Sequence, residues 1–465
     1  MQPLALIQYS LLLLAVSSSI SQAKPLDHWT LQEQLNLPDW LTIKANHRTR
    51  YEAYTKPFKK GTDSGGDQAL AFRTQLFIGA KYKQFSLGTE FMDSRISLTG
   101  SNSKYTTGLI NQTDLLQAYI AWQEKNVFDT GLNFDAKAGR QTLDFGSRRL
   151  IARNRYRNTI NNFSGLDISI SKEKKWQWRN FVMFPVSRLP NDQASLKNNI
   201  AQFDQENFER IFAGSFFSLN TLPYQSQGEA YLYYLDEQDT KATQTKNRQL
   251  VTYGARWHKA AKTNQFDFEI ESVLQNGYAY ASKSSSDTSR LKHFAHFKHI
   301  EVGYSFDAPW QPRLILQYDY ASGDKDPNDN QSNRFETLFG ARRFDFGPTS
   351  TWGPFARANI STPGLRLKLK PTKTISAFLS HRAYWLAQAK DSWTGAKITD
   401  NTGLSGNYLG QQLELRIRWN LVPKRIQLES GWAHFFKGRF AKNASDAPSD
   451  TRDSDYFYLQ TSLHT

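Results

Sequence analysis

Residues 70–91 read LAFRTQLFIGAKYKQFSLGTEF. Leu70, Phe72, Thr74, Leu76, Ile78, Ala80 and Tyr82 recur at every second position, against Arg73, Gln75, Lys81 and Lys83. Successive side chains of a strand point to opposite faces, so a period of two predicts a β-strand with one apolar and one wet face. Only Lys83-Gln84 separates it from a second alternating run, Phe85, Leu87, Thr89 and Phe91, which predicts a tight hairpin. Upstream, the polar, glycine-containing residues 56–68 separate it from LTIKANHRTRYEAY at 41–54. There Leu41, Ile43, Ala45, Thr49, Tyr51 and Ala53 share one face, and Lys44, Asn46, Arg48, Arg50 and Glu52 share the other. A short turn on one side and a long loop on the other set the pattern for the chain.

The same beat returns in 116–122, 132–138, 166–170, 211–219, 230–234, 251–257, 266–274, 300–306, 314–320, 365–369, 375–385, 409–419, 426–432 and 457–463. The expectation is about 16 to 18 strands, with boundaries good to a few residues. No helical period persists, no composition shift marks a second domain, and no repeat of fixed length suggests a β-helix. The fold class expected is therefore all-β. It is a single transmembrane antiparallel up-and-down barrel over residues 24–465, with short periplasmic turns and long extracellular loops.

Composition agrees. A mean hydropathy of −0.62 does not argue against a membrane barrel, because lipid-facing and lumen-facing residues alternate. An aromatic content of 14%, from 21 Tyr, 31 Phe and 12 Trp, fits girdles at two membrane interfaces. No cysteine is present, so no disulfide framework holds the chain and a closed sheet must. The N-terminus, an apolar core at 4–16 followed by Ser21-Gln22-Ala23, reads as a signal peptide over residues 1–23, cleaved before Lys24. That places the mature chain in the outer membrane of a Gram-negative bacterium, with membrane lipid and lipopolysaccharide as its surroundings. A net charge of +15 implies an anionic partner. Nucleic acid is not expected, since the chain is exported and carries no nucleic-acid-binding motif.

Charge on the lipid face at mid-depth costs about 2–4 kcal/mol for Arg or Lys, so the charged faces of the strands must point into the lumen. This places Lys44, Arg48, Arg50, Arg73, Arg366, Lys368, Arg416 and Arg418 inside, with Glu414 beside the last two. The densest cluster lies between two alternating runs, where Arg148, Arg149, Arg153, Arg155 and Arg157 fall within ten positions. Density alone leaves two readings open: a solvated surface loop, or a loop inside a cavity whose guanidinium forks handle carboxylates or phosphates. No cofactor or metal site is expected. His293, His296 and His299 stand three apart, which on a strand sends neighbours to opposite sides. The acidic 324–329 loop lacks the Gly and terminal Glu of an EF-hand. Neither G-x-S-x-G nor H-E-x-x-H occurs, so the chain is not expected to be an enzyme, although an enzyme on a barrel scaffold is the second alternative.

Three stretches resemble the alginate-export family of outer-membrane barrels. The first runs from Gly139-Arg140-Gln141 through Phe145-Gly146-Ser147-Arg148-Arg149-Leu150-Ile151 to Arg157-Asn158 and Phe163-Ser164-Gly165. The second is 316–324, LQYDYASGD, with 335–339. The third is 409–415, LGQQLEL, with 431–438, GWAHFFKG. Their order is preserved over most of the mature chain. Ser147 replaces the family's acidic residue, Tyr156 its Trp, and Asn162 stands near its usual Arg. The resemblance implies an 18-stranded barrel with an arginine-rich, anion-selective constriction built from Arg140, Arg148, Arg149, Arg153, Arg155 and Arg157. It also implies export of an anionic polysaccharide such as alginate, with a periplasmic export machinery as partner. A general or small-anion uptake porin is the first alternative.

Overall fold

The computed structural model describes residues 30–62, 65–100, 103–239, 244–284 and 286–465; the expected signal peptide lies outside them. No helix among the described residues is long and apolar enough to cross a membrane. The sheet runs β1 (Leu41–Tyr54), β2 (Asp67–Tyr82), β3 (Phe85–Ser97), β4 (Asn111–Glu124), β5 (Asn133–Gln141) and β6 (Phe163–Lys172). It continues with β7 (Trp176–Pro185), β8 (Arg210–Leu222), β9 (Ser226–Glu237), β10 (Gln249–Lys259), β11 (Gln265–Tyr280), β12 (Arg290–Ser305) and β13 (Arg313–Ala321). Then come a two-residue β14 (Gln331–Ser332), β15 (Ile360–Leu369), β16 (Ile375–Trp385), β17 (Tyr408–Val422), β18 (Ile426–Lys437) and β19 (Ser454–His464). Each barrel strand pairs antiparallel with the next, and β1 pairs with β19. The short β14 lies parallel to β12 and outside the ring, because β13 pairs directly with β15. The result is a closed up-and-down barrel of 18 strands, with no unpaired edge left to bond another chain.

The strands follow the alternation in the sequence. On β13, Leu316 is 61% exposed on the outer wall while its inward neighbours Ile315 and Asp319 are fully buried. Short connections such as 83–84, 173–175 and 423–425 gather at one rim, where β1 begins and β19 ends. Long ones, notably 142–162, 186–209, 322–359 and 386–407, gather at the other. By the general asymmetry of such barrels, the first rim is periplasmic and the second extracellular.

Two strands depart from the sequence expectation. β7, WQWRNFVMFP, was not expected as a strand. It carries polar Asn180 on the outer wall, while Phe181 and Met183 point inward and are buried, so both faces mix apolar and polar residues and the period of two is lost. β12 starts at Arg290, ten residues before the run expected at 300–306. Beyond Phe297, which lies opposite Ala321 at the end of β13, its upper part pairs with β11 on one side and with the two residues of β14 on the other. Lys292, His296 and Lys298 lie on its outward face. His293 and His299 are buried on the inner face, and His296 is on the other.

The lumen is not empty. Residues 142–162 and 322–359 fold inward and share one apolar cluster with the wall, including Leu143, Phe145, Leu150, Ile151, Phe335, Trp352 and Phe355 against Phe181, Phe212, Tyr384 and Phe435. Phe355 stacks on Tyr384, and Trp352 packs edge-on to Phe58 at 4.7 Å. Removing a buried aromatic side chain of this kind costs about 3–5 kcal/mol, so these loops are packed structure rather than loose cover.

Candidate functional site: an arginine-lined vestibule

The 142–162 loop crosses the lumen because its backbone is hydrogen-bonded to the wall at several points. Asn158 Nδ2 donates to the carbonyls of Phe72, Arg95 and Leu109, at 3.1, 3.3 and 2.7 Å. Arg48 on β1 donates to the carbonyls of Arg155 and Tyr156, both at 2.9 Å. Arg50 donates to the Tyr156 carbonyl at 2.7 Å and lies 4.2 Å from the centre of its ring. The Tyr156 hydroxyl bonds that of Tyr456 on the neighbouring β19 at 3.0 Å.

The second inward loop joins the first through one parallel bridge, Ile151 opposite Phe339, and a further backbone bond. Phe339 N–H donates to the Leu150 carbonyl at 2.9 Å, Ala152 N–H to that of Phe339 at 3.2 Å, and Ala341 N–H to that of Arg148 at 2.9 Å. At Gly340 a Cβ would collide with the Arg149 carbonyl, so the close approach requires a residue without one. Together the two loops form a layer at mid-height.

Between that layer and the short-turn rim is a cavity of about 520 Å³. Arg48, Arg73, Arg148, Arg153, Arg155, Arg343, Arg416 and Arg418 line it, against a single carboxylate, Glu429. Some of these arginines are compensated. Arg418 pairs with Glu429 at 2.7 Å, Arg343 with Glu414 at 2.7 Å, Arg153 with Glu90 at 2.6 Å, and Arg148 with Asp144 at 2.7 Å. Arg155 is 76% exposed and reaches Asp144 only at 3.5 Å. Arg48, Arg73 and Arg416 have no carboxylate within ion-pair distance among the described residues. They rest on carbonyls or, for Arg416, on the Phe378 ring at 4.5 Å, and the Nε of each is buried without a hydrogen-bond partner. A wall of guanidinium groups in excess of its carboxylates suits carboxylate and phosphate groups, which guanidinium forks recognise bidentately.

The cluster expected from the sequence is therefore divided. Arg148, Arg153 and Arg155 reach the vestibule together with Arg48, Arg73, Arg416 and Arg418. Arg149 does not: it is 3% exposed, binds Asp345 at 3.0 and 3.2 Å and Glu271 at 2.8 Å, and also meets Glu269. Burial opposes its charge, yet Asp345, Glu269 and Glu271 outweigh that and hold its pKa well above the usual range. Arg140 is held by Glu206 at 2.6 Å and the Leu115 carbonyl at 3.0 Å. Arg50 pairs with Glu52 at 3.2 Å, and Arg366 donates to the Phe344 carbonyl at 2.9 Å. Lys44 and Lys368 are exposed on β1 and β15 near the short-turn rim. Arg157 turns to the other side of the layer.

Arg343, Glu429, Gln427 and Gln460 line the vestibule but were not expected there. The strand residues were legible from alternation, whereas Arg343 sits on a one-turn helix, Arg343–Phe346, inside a long loop. His299, Asp319 and Asp345 come close enough together to suggest a metal site. Arg382 pairs with Asp319, and Arg149 and Arg357 with Asp345, so guanidinium groups already supply the positive charge there.

A sequence profile described as alginate export matches residues 39–455. The chain belongs to the alginate export family. Each of the three stretches noted in the sequence places a charged residue in an ion pair inside this family member's barrel. Arg149 of the first binds Asp345, Asp319 of the second binds His299 at 2.7 Å, and Glu414 of the third holds Arg343. No curated protein matches the chain. Among solved structures, Pseudomonas aeruginosa OccD3 (OpdP) is similar with a TM-score of 0.55 at 10% identity, covering 96% of this chain and 95% of that one. OpdK with vanillate and OccK9 (OpdG), both from the same organism, give TM-scores of 0.56 and 0.57 at 10% identity, covering 91% of this chain and 98% of theirs. At that identity the likeness shows the outer-membrane barrel fold.

Proposed function

We propose that the protein is a passive outer-membrane channel for anionic solutes, with an anionic polysaccharide leaving the cell as its cargo. The observation that carries this reading is the vestibule, which eight arginines line and where Glu429 is the one carboxylate on the cavity wall, the partners of Arg343, Arg153, Arg148 and Arg155 lying behind them. Arg48, Arg73 and Arg416 have no carboxylate within ion-pair distance among the described residues, so their charge is uncompensated there. Several weak guanidinium sites in series allow an anion to exchange part of its hydration at each step, so that entry is favourable and exit is not blocked. The vestibule lies on the short-turn side of the loop layer, which suits capture of a solute arriving from the periplasm. Membership of the alginate export family supports a uronate polymer as that solute.

A second reading, uptake of a small anion, is favoured by two observations. A structure with the same fold was solved with vanillate, and a cavity of about 520 Å³ has the size of a small-molecule site.

The test is the reversal potential of the refolded protein in a planar bilayer under a salt gradient, with oligouronate added to one side. Anion preference and oligouronate block are expected, and both should fall in R48Q, R73Q and R416Q. An unselective wild type, or selectivity unchanged in all three variants, would refute the reading.

A further inference from the structure

The outward face of β12 changes chemistry part-way along the strand. Towards the short-turn rim it presents Ile300 and Val302, which are 45% and 43% exposed and continue the apolar wall of Leu316 and Tyr318 on β13. Towards the long-loop rim the same face presents Lys298, His296, Phe294, Lys292 and Arg290. Lys298 stands two positions from Ile300, about 7 Å along a strand. A lysine on the lipid face is costly at mid-depth and nearly free at an interface, which puts the edge of the hydrocarbon between Ile300 and Lys298. Nothing acidic answers these cations across the sheet. On β11, Ser272 is opposite Lys298, Leu274 opposite His296 and Tyr278 opposite Lys292. On β13, Tyr320 is opposite Lys298 and packs edge-on to the His296 ring at 5.3 Å. Arg290 lies 3.9 Å from the centre of the Tyr278 ring and donates to Gln249. Lys325, on the 322–330 loop, adds its charge to that of Lys298 beside His296. The carboxylates of the flanking loops are engaged elsewhere. Asp287 accepts from the N–H groups of Ser282 and Ser289, Asp326 from that of Asn328 and Asp329 from that of Gln331, while Asp324 lies beside Asp391 and Arg334. Lys292, Lys298 and Lys325 are exposed, and none forms an ion pair among the described residues.

We infer that this face binds the phosphate groups of lipopolysaccharide, the phosphorylated glycolipid of the outer leaflet, with Lys292, Lys298 and Lys325 as the ligating cations and Ile300 and Val302 against its acyl chains. Position and charge select this occupant. The long-loop rim is the extracellular one, so a lipid packed on Ile300 and Val302 carries its headgroup at the height of Lys298. Lysines gathered at a membrane boundary recognise anionic headgroups, and an ammonium binds phosphate as a compact point charge. Lys292 and Lys298 are six positions apart, about 20 Å along the strand, too far to share one phosphate. The face therefore fits a headgroup with several phosphates better than a phospholipid with one. Phe294, 54% exposed between the two lysines, supplies an aromatic ring at the depth where such rings settle. The site lies on the outside of the wall and shares no residue with the vestibule, so it stands or falls independently of the solute that the channel carries.

The experiment is titration of the refolded barrel in detergent with purified lipid A, the phosphorylated anchor of lipopolysaccharide, with bound lipid counted by native mass spectrometry. Wild type should bind the bis-phosphorylated lipid about tenfold or more tighter than the same lipid stripped of both phosphates. K292Q/K298Q should lose about fivefold per lysine, roughly twenty-five-fold together, which is the worth of a lysine near an anionic lipid surface. K292R/K298R keeps the charge and should bind as wild type does. K325Q alters a loop rather than the wall and should lose about fivefold by itself, so the reasoning is tested even where the double glutamine variant folds poorly. R73Q/R416Q, in the vestibule, should leave lipid binding unchanged, and K292Q/K298Q should leave the reversal potential unchanged. Equal affinity for the dephosphorylated lipid, a loss below fivefold in K292Q/K298Q, a K325Q indistinguishable from wild type, or an equal loss in R73Q/R416Q would overturn the site. Displacement of lipid A by an equal concentration of inorganic pyrophosphate would do so too, since the face would then serve soluble phosphates.

Discussion

Replacing Arg149 with glutamine tests whether this arginine, central to the sequence cluster, holds the fold rather than the solute. Its partners differ in what they keep. Asp345 retains Arg357, and Glu269 retains Arg256 at 3.0 Å. Glu271, 2% exposed, retains only the hydroxyls of Tyr231 at 2.7 Å and Ser147 at 3.0 Å. One buried carboxylate is therefore left without a cation, not three, and the expected cost is that of a single broken buried pair, about 3–5 kcal/mol. At about 1.4 kcal/mol per factor of ten, the folding equilibrium shifts by roughly two to four orders of magnitude. The assay is denaturant unfolding of the refolded barrel, followed by tryptophan fluorescence and by electrophoretic mobility without heating. Because Arg149 is absent from the vestibule lining, the reversal potential should stay at the wild-type value. R149Q/E271Q removes the stranded charge as well and should recover most of the loss. A wild-type unfolding midpoint in R149Q, or no recovery in the double variant, would refute this account.

Two further expectations concern the inward loops. G340A should force the pairing between 148–152 and 339–341 apart, since its Cβ meets the Arg149 carbonyl; a loss of about 1–3 kcal/mol is expected for overpacking of this kind, and a midpoint equal to wild type would count against the pairing. Lys59, with a pKa lowered to about 7 from an ordinary 10.5, gives a pH dependence of fixed sign. Above about pH 7 the folded chain lacks a proton that the unfolded chain keeps, so this group's contribution to stability rises with pH up to the ordinary value. The unfolding midpoint of the refolded barrel should therefore rise from about pH 7 towards the ordinary lysine range. K59R should hold its charge and lose that dependence, and an unchanged pH profile in K59R would assign it to another group.

The sequence alone carried the wall. Alternation is a local property, legible wherever one face of a strand meets lipid and the other meets water, and it located β1, β2 and the start of β3 to within a few residues along with the tight turn at Lys83-Gln84, while β3 continues six residues past Phe91 to Ser97. It failed at β7, where Phe181 and Met183 face an apolar loop core instead of water, because a strand covered on both sides has no reason to alternate. The arginine cluster was legible as a composition, but its division was not. Whether Arg149 meets three carboxylates, Arg155 open space, or Arg157 a second guanidinium depends on Asp345, Glu271 and Arg188, which lie far from it in the sequence. Only closure of the barrel and the inward fold of 322–359 bring those charges within bonding distance. Coulomb energy depends on separation in space, so the charges that remain free for a solute are decided by tertiary structure.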